Sequence, residues 1–130
     1  MLKLEIADSP SSHEQGLMFR KSLPDDVGML FKFNSPQVRK FWGLNTYIPL
    51  DIAFIDNHNK IIKIDRIKPL SLKTVSSDKS CLLAIEANEG FFSSNGIKPG
   101  FTLKQEKDRD GKIIASFSKG ESRLSQNSSE

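Results

Sequence analysis

The chain has 130 residues, a net charge of +3 and a single cysteine. This length allows one domain with a hydrophobic core and is too short for two. The basic residues are interspersed with acidic ones, which argues against a nucleic-acid-binding surface, and a single cysteine excludes an intramolecular disulfide.

The chain contains more strand signals than helix signals. Apolar and charged residues alternate from the N terminus, as in a strand with one solvent-exposed face. Ser9 and Pro10 are typical of an N-cap and a first helical position, and Asp110-Gly111 is typical of a hairpin turn. In chain order we predict strands over 2–6, 27–33, 38–44, 50–55, 60–67, 82–87, 101–107 and 112–117, with short helices over 10–19 and 89–95.

These elements predict a mainly β (α+β) fold: one compact, mostly antiparallel, barrel-like or sandwich-like domain over residues 1–117. The polar segment 118–130 contains too little apolar surface to offset its ordering entropy, so we expect a disordered tail. Asn34-Ser35-Pro36 should end the second strand, and Lys68–Lys79 should form a polar loop.

The stretch from 41 to 56 reads F-W-G-L-N-T-Y-I-P-L-D-I-A-F-I-D and places polar groups between two apolar runs. Asp51 opens a strand that is apolar on both faces, so its carboxyl must be paired or hydrogen-bonded. It could hold a ligand or act as an acid or base together with Asn45, Thr46 and Glu86. Alternatively, it could lock the 45–49 turn to the core by accepting hydrogen bonds from Arg20 or from backbone amides.

Arg20 and the aromatic residues of this stretch also allow two readings. Arg20 could be a solvated helix end, or a guanidinium directed at Asp51 or at a bound carboxylate or phosphate. Trp42 and Tyr47 flank Asn45 and Thr46, where aromatic rings could form the wall of a site for a sugar or another small polar ligand. Packing in the β core is the alternative.

Motifs for cofactor, metal or covalent chemistry are absent from the sequence. There is no glycine-rich phosphate loop, no H-E-x-x-H and no nucleophile elbow. His13 and His58 would have to meet acids to bind a metal, and Cys81 has no nucleophile context. We therefore predict no cofactor, no metal and no enzyme of a common class.

Several separated motifs resemble the DUF192 family, a domain of unknown function also called uncharacterised protein family 0127. They are G-L-M-F-R at 16–20, L-P at 23–24, G-M-L-F-K-F at 28–33, F-W at 41–42, N-T-Y-I-P-L-D-I-A-F-I-D at 45–56, A-I-E-A-N-E-G at 84–90 and N-G-I-K-P-G at 95–100. The resemblance covers about residues 2–104. It implies a small, mostly β domain without established catalytic residues, and it matches family positions to Arg20, Asn45, Thr46, Pro49, Asp51 and Glu86.

Two departures from the family pattern bear on function. Gly43 and Leu44 stand where the family usually has methionine and lysine, so no ligand role for that lysine carries over. The N terminus begins directly as a strand without a leader, which predicts a soluble, cytoplasmic protein as written, or an exported one if a leader is missing from this chain.

Three functional hypotheses follow. The first is a binding or accessory module whose pocket at the 45–51 turn holds a small polar or carbohydrate-like ligand through Arg20, Trp42, Asn45, Thr46 and Asp51. The second is an acid–base enzyme, hydrolase-like and acting on a carbohydrate-type substrate, that requires Asp51 and Glu86 in one cleft. The third, nucleic-acid binding through Arg39, Lys40, Phe41 and Trp42, requires a basic stripe with exposed aromatics and is not favoured.

Overall fold

The computed structural model describes residues 1–119, in which the chain forms one mostly β domain with two short helices. The predicted tail over 118–130 lies almost wholly outside the described residues. The elements are β1 (Leu2–Ala7), α1 (Pro10–Gln15), β2 (Val27–Gln37), β3 (Lys40–Phe41), β4 (Leu50–Ile55), β5 (Ile61–Ile67), β6 (Val75–Ser76), β7 (Cys81–Asn88), α2 (Phe91–Ser94), β8 (Thr102–Lys107) and β9 (Ile113–Ser118).

Seven strands form one curled sheet in the order β5-β4-β7-β2-β1-β9-β8, and β3 pairs with β6 in a separate two-stranded ribbon. Neighbouring strands of the large sheet are antiparallel except β1 and β2, which are parallel and joined through α1. The two edge strands meet at one end, where the Ile61 amide donates to the Phe101 carbonyl at 2.9 Å and the Leu103 amide donates to the Asn59 carbonyl at 2.7 Å. The sheet is therefore a half-barrel, as the barrel-like prediction anticipated.

Apolar side chains pack on both faces of this sheet. One core cluster contains side chains from all seven strands and is covered by Phe92 of α2. The other cluster lies on the opposite face, where Leu17, Leu23 and Ile48 from the connecting segments cover β2, β4 and β7. Every residue of β4 is buried, which confirms the prediction of a central strand covered on both faces.

Three predictions about the strands were wrong. Strand β2 does not end at Asn34-Ser35-Pro36 but continues to Gln37, because a register shift after Lys32 accommodates the proline, which lacks an N–H. The predicted strand 38–44 shrinks to β3, because its partner β6 pairs only with Lys40 and Phe41. The loop 68–79 contains the short strand β6.

Helix α1 ends earlier than predicted. Ser9 accepts from the Ser12 amide and Pro10 is the first helical residue, so the predicted N terminus is confirmed. The helix stops at Gln15 because Gly16 has a φ of +47°, and the segment that follows crosses over Phe31 of the sheet. Neither helix in the described part of the chain is long and apolar enough to cross a membrane.

Candidate functional site

A pocket of about 480 Å³ has two sides. One side is helix α1 and the turn that follows it, and the other is the segment that joins β2 to β3. Its apolar wall is largely aromatic: Phe31 and Phe41 pack edge to face, with ring centroids 5.0 Å apart. The polar and charged side chains that line it are His13, Glu14, Gln15, Arg39, Lys40, Thr46 and Glu86.

Glu86 lies on β7 and is 5% exposed. In the sheet register it stands between Met29 of β2 and Ile52 of β4, two buried apolar residues. Its carboxyl makes no hydrogen bond or ion pair with any of residues 1–119, and burial raises the pKa of Glu86 to about 8. The carboxyl is therefore protonated at neutral pH and can donate a hydrogen bond into the pocket.

Arg39 supplies a cation to the pocket wall. Its guanidinium lies 4.0 Å from the centroid of the Phe33 ring, and one terminal nitrogen donates to the Ser35 carbonyl. Its Nε is buried and has no hydrogen-bond partner in the described chain. Because a guanidinium has five N–H donors, Arg39 keeps donors that its protein contacts do not use.

His13 of α1 is held in a defined orientation at the pocket. Its Nε2 lies 2.7 Å from the Lys32 carbonyl oxygen, and its ring packs against Phe33 at 4.7 Å between centroids. A carbonyl oxygen only accepts, so Nε2 carries a hydrogen and donates. Nδ1 has no partner among residues 1–119 and remains available to a ligand.

Thr46 and Trp42 complete the pocket on the side of the 43–47 turn. Thr46 is buried, and its hydroxyl donates to the Leu44 carbonyl at 3.1 Å. Trp42 is 45% exposed although it lines the pocket, so packing in the core does not explain this side chain. The turn is fixed to the 68–71 loop by backbone hydrogen bonds from Gly43 and Leu70.

Asp51 occupies the opposite face of the sheet. Its register partner on β7 is Ala87, whereas Glu86 pairs with Ile52, and side chains of neighbouring residues on a strand point to opposite faces. Asp51 accepts from the Gly90 amide at 2.8 Å and lies 3.5 Å from Nε of Arg66. The prediction that Asp51 and Glu86 could share one cleft was therefore wrong, because the sheet separates the two carboxyl groups.

Comparison with known proteins assigns the chain to a family. The family model for DUF192, described as an uncharacterized ACR, matches residues 1–105. The chain belongs to the DUF192 family. This confirms the resemblance found in the sequence motifs.

Two crystal structures are similar to this DUF192 chain over most of its length. One is a protein from Sinorhizobium meliloti 1021 described as a proposed transcription regulator, with 32% identity, a TM-score of 0.75, and coverage of 89% of this chain and 81% of that one. The other is a protein of unknown function from Novosphingobium aromaticivorans DSM 12444, with 29% identity, a TM-score of 0.74, and coverage of 88% and 74%. No curated protein matches the chain.

The predicted site residues of this DUF192 domain separate into two groups. Thr46, Trp42 and Glu86 line the pocket beneath α1. Arg20, Asn45 and Asp51 do not line it. Asn45 is a turn residue in the left-handed region, and its carbonyl accepts from the Phe19 amide at 2.8 Å.

The predicted pairing of Arg20 with Asp51 was wrong. Arg20 binds Glu5 of β1 through two hydrogen bonds of 2.7 and 2.6 Å, and these bonds lower the pKa of Glu5. Both side chains are partly exposed, so the pair fastens the segment after α1 to β1 at the surface. The architectural reading of Asp51 fits the contacts, with Gly90 and Arg66 as partners in place of Arg20 and the 45–49 turn.

Sequence reasoning did not place His13 and Arg39 in the site. His13 stands early in a short helix and Arg39 precedes a two-residue strand, and neither position shows a spacing that links it to Glu86. The packing of α1 over β2 brings His13 to the pocket, and Arg39 reaches it from the segment after β2, where its guanidinium lies over the Phe33 ring. Among the described residues there is no cluster of three or more metal-ligating side chains.

Replacing Asp51 by alanine tests its architectural role. We expect Asp51→Ala to lower the free energy of unfolding by about 2 kcal/mol, because the Gly90 amide loses its acceptor and Arg66 loses one of its two carboxylate partners. Urea denaturation at pH 7 measures the change. The control is Asp65→Ala on neighbouring β5, a more exposed carboxylate that contacts Lys63 and accepts from the Arg66 amide at the surface, and whose loss should cost about 0.5 kcal/mol. Equal losses for the two variants would contradict the role assigned to Asp51.

Proposed function

We propose that this DUF192 domain is a binding module that holds a small polar molecule in the pocket beneath helix α1. The observation that carries the proposal is the Glu86 carboxyl, which is 5% exposed, lines the pocket and has no polar partner within residues 1–119. Burying such a group costs stability unless something bonds to it, so an unpartnered one facing a cavity points to a ligand.

The surrounding side chains support the same proposal. The terminal guanidinium nitrogens of Arg39 have donors beyond the one given to Ser35, and Nδ1 of His13 has no partner in the described chain. Both residues line the same pocket as Glu86, and aromatic rings supply apolar walls. Small-molecule sites commonly combine apolar walls with a few convergent polar groups in this way. A nucleophile or a second carboxylate facing Glu86 across the pocket would favour catalysis. The acids that line the pocket are Glu86 and Glu14, and Glu14 is exposed on α1.

The test is thermal denaturation of the protein with a panel of sugars, nucleotides, organic acids and amines. A compound that binds only the folded state must raise the melting temperature by mass action. We expect at least one class to do so, and we expect the shift to depend on Trp42. Trp42→Ala should weaken binding by about tenfold, because an exposed aromatic wall is removed from the ligand.

Tyr47→Ala is the matched control for this experiment. Tyr47 is 49% exposed and lies on the same turn as Trp42, but it does not line the pocket. It should therefore leave every ligand-induced shift unchanged. The proposal fails if no class of compound shifts the melting temperature, or if both aromatic variants reduce the shift equally.

A further inference from the structure

The chemical class of the ligand can be inferred from the groups that face Glu86. This inference rests on the proposed function. Five titratable or charged side chains line the pocket: His13 and Glu14 from α1, Arg39 and Lys40 from the segment between β2 and β3, and Glu86 from β7. The elements beside Glu86 in the sheet contribute only Met29 and Ile52 at its register positions.

The neighbours of Glu86 keep its carboxyl neutral. No cation among residues 1–119 lies within 4.0 Å of it, although Arg39 and Lys40 line the same pocket. Burial without a compensating charge raises the pKa of Glu86 to about 8. With Glu86 protonated, the two cations outnumber the one ionised carboxylate on the lining, Glu14.

We propose that the pocket binds a small organic carboxylate, whose oxygens accept one hydrogen bond from the Glu86 carboxyl and others from the Arg39 guanidinium. A carboxylate is acceptor-only, so it complements both groups, and hydrogen bonds to a charged acceptor are the stronger ones. The planar guanidinium matches the planar carboxylate. The rings of Phe31, Phe41 and Trp42 provide apolar contacts for the organic part of the ligand.

Two other ligand classes fit these groups less well. An organic cation would need Glu86 ionised and would lie near Arg39 and Lys40, which repel it. A neutral amide could accept from Glu86 but would gain less from Arg39, because it carries no charge. The pH dependence of binding separates the three classes. The affinity for a carboxylate falls as Glu86 ionises, and the affinity for a cation rises. A neutral amide has both a donor and an acceptor, so its affinity should change little with pH.

The experiment compares three probes of nearly the same shape: benzoate, benzamide and benzylamine. Their dissociation constants are measured by NMR chemical-shift titration, which detects weak binding. We expect benzoate to bind about tenfold more tightly than the other two at pH 7. Between pH 7 and pH 9 its affinity should fall by about tenfold, because Glu86 loses its proton over this range.

Four variants identify the groups responsible. Glu86→Gln keeps a neutral donor, so it should bind benzoate with an affinity that no longer changes between pH 7 and pH 9. Arg39→Gln should weaken benzoate binding by about tenfold, whereas Lys40→Gln on the exposed side of the lining should change it by about twofold. His13→Gln should retain the pH dependence of the wild type, which excludes the imidazole as its source.

The outcomes separate the inference from the function that it rests on. If benzylamine or benzamide binds and benzoate does not, the pocket is a ligand site and the carboxylate inference is wrong. If benzoate binds without any response to pH or to Glu86→Gln, the inference is also wrong. If none of the three probes binds, the inference fails, while the broader panel and the Trp42→Ala comparison still decide whether the pocket binds ligands.

Discussion

Glu86→Gln is expected to stabilise the protein at neutral and alkaline pH and to leave its stability nearly unchanged below pH 4.5. In the unfolded chain Glu86 has an ordinary pKa near 4.5, and in the folded chain its pKa is raised to about 8. Between these values the folded state binds one more proton than the unfolded state, so stability falls as the pH rises. The slope is about 1.4 kcal/mol per pH unit, and the full effect between pH 4.5 and 8 is about 5 kcal/mol.

The measurement is urea denaturation of both proteins at several pH values from 4.5 to 8.5. The amide of glutamine resembles the neutral carboxyl in size and polarity but does not ionise, so the variant should lack the contribution of Glu86 to the slope. Subtracting the free energies of unfolding of the two proteins at each pH removes the contributions of all other titrating groups. Glu14→Gln is the control, because Glu14 lines the same pocket but is exposed, and it should change stability by about 0.5 kcal/mol or less. A constant difference between wild type and Glu86→Gln across the pH range would show that folding does not raise the pKa of Glu86, which contradicts the prediction.

Gly43→Ala is the second substitution expected to have a large effect. A Cβ at this position would lie 2.1 Å from the Lys68 carbonyl oxygen and 3.1 Å from the Ser71 amide nitrogen, so the main chain of the 68–71 loop must move. This movement also threatens the hydrogen bond from the Gly43 amide to the Ser71 carbonyl, now 2.8 Å. We expect a loss of about 3 kcal/mol in the free energy of unfolding, measured by urea denaturation at pH 7.

Gly111→Ala provides the scale for this loss. Gly111 has a φ of +82° and open space around it, so alanine there has only backbone strain, at a cost of about 1 kcal/mol. If the Gly43→Ala protein is no less stable than Gly111→Ala, the 68–71 loop moves away from position 43 without loss of stability, and the prediction is wrong.

The unpartnered Glu86 carboxyl is expected to lower stability, and the same carboxyl is the group that the proposed ligand would contact. A buried carboxyl without a partner lowers stability, and stabilising replacements at such positions commonly reduce function. An apolar residue at position 86 would fit beside Met29 and Ile52, so packing alone does not require a carboxyl there. The proposed ligand would supply the hydrogen bond that the described chain does not give to the Glu86 carboxyl.

The regular part of the fold could be predicted from the sequence because its signals are local. Alternation over residues 2–6, the apolar run 50–55 and the Asp110-Gly111 turn each predict a strand or hairpin that the structure confirms. The failures occurred where distant segments determine the conformation. Pro36 is tolerated inside β2 because the register shifts against β7, and no feature near Pro36 in the sequence shows this shift.

The candidate site shows the same division. The sequence by itself determined that Asp51 and Glu86 are carboxylates within apolar strands, that Thr46 and Trp42 adjoin a turn, and that the family is DUF192. Only the tertiary structure decided that Asp51 and Glu86 lie on opposite faces, because that depends on the antiparallel register of β4 with β7. Likewise, His13 joins Glu86 at the pocket because α1 packs over β2, and Arg39 joins it because its guanidinium lies over Phe33. Contacts between residues so far apart in the chain leave no pattern in its local spacing.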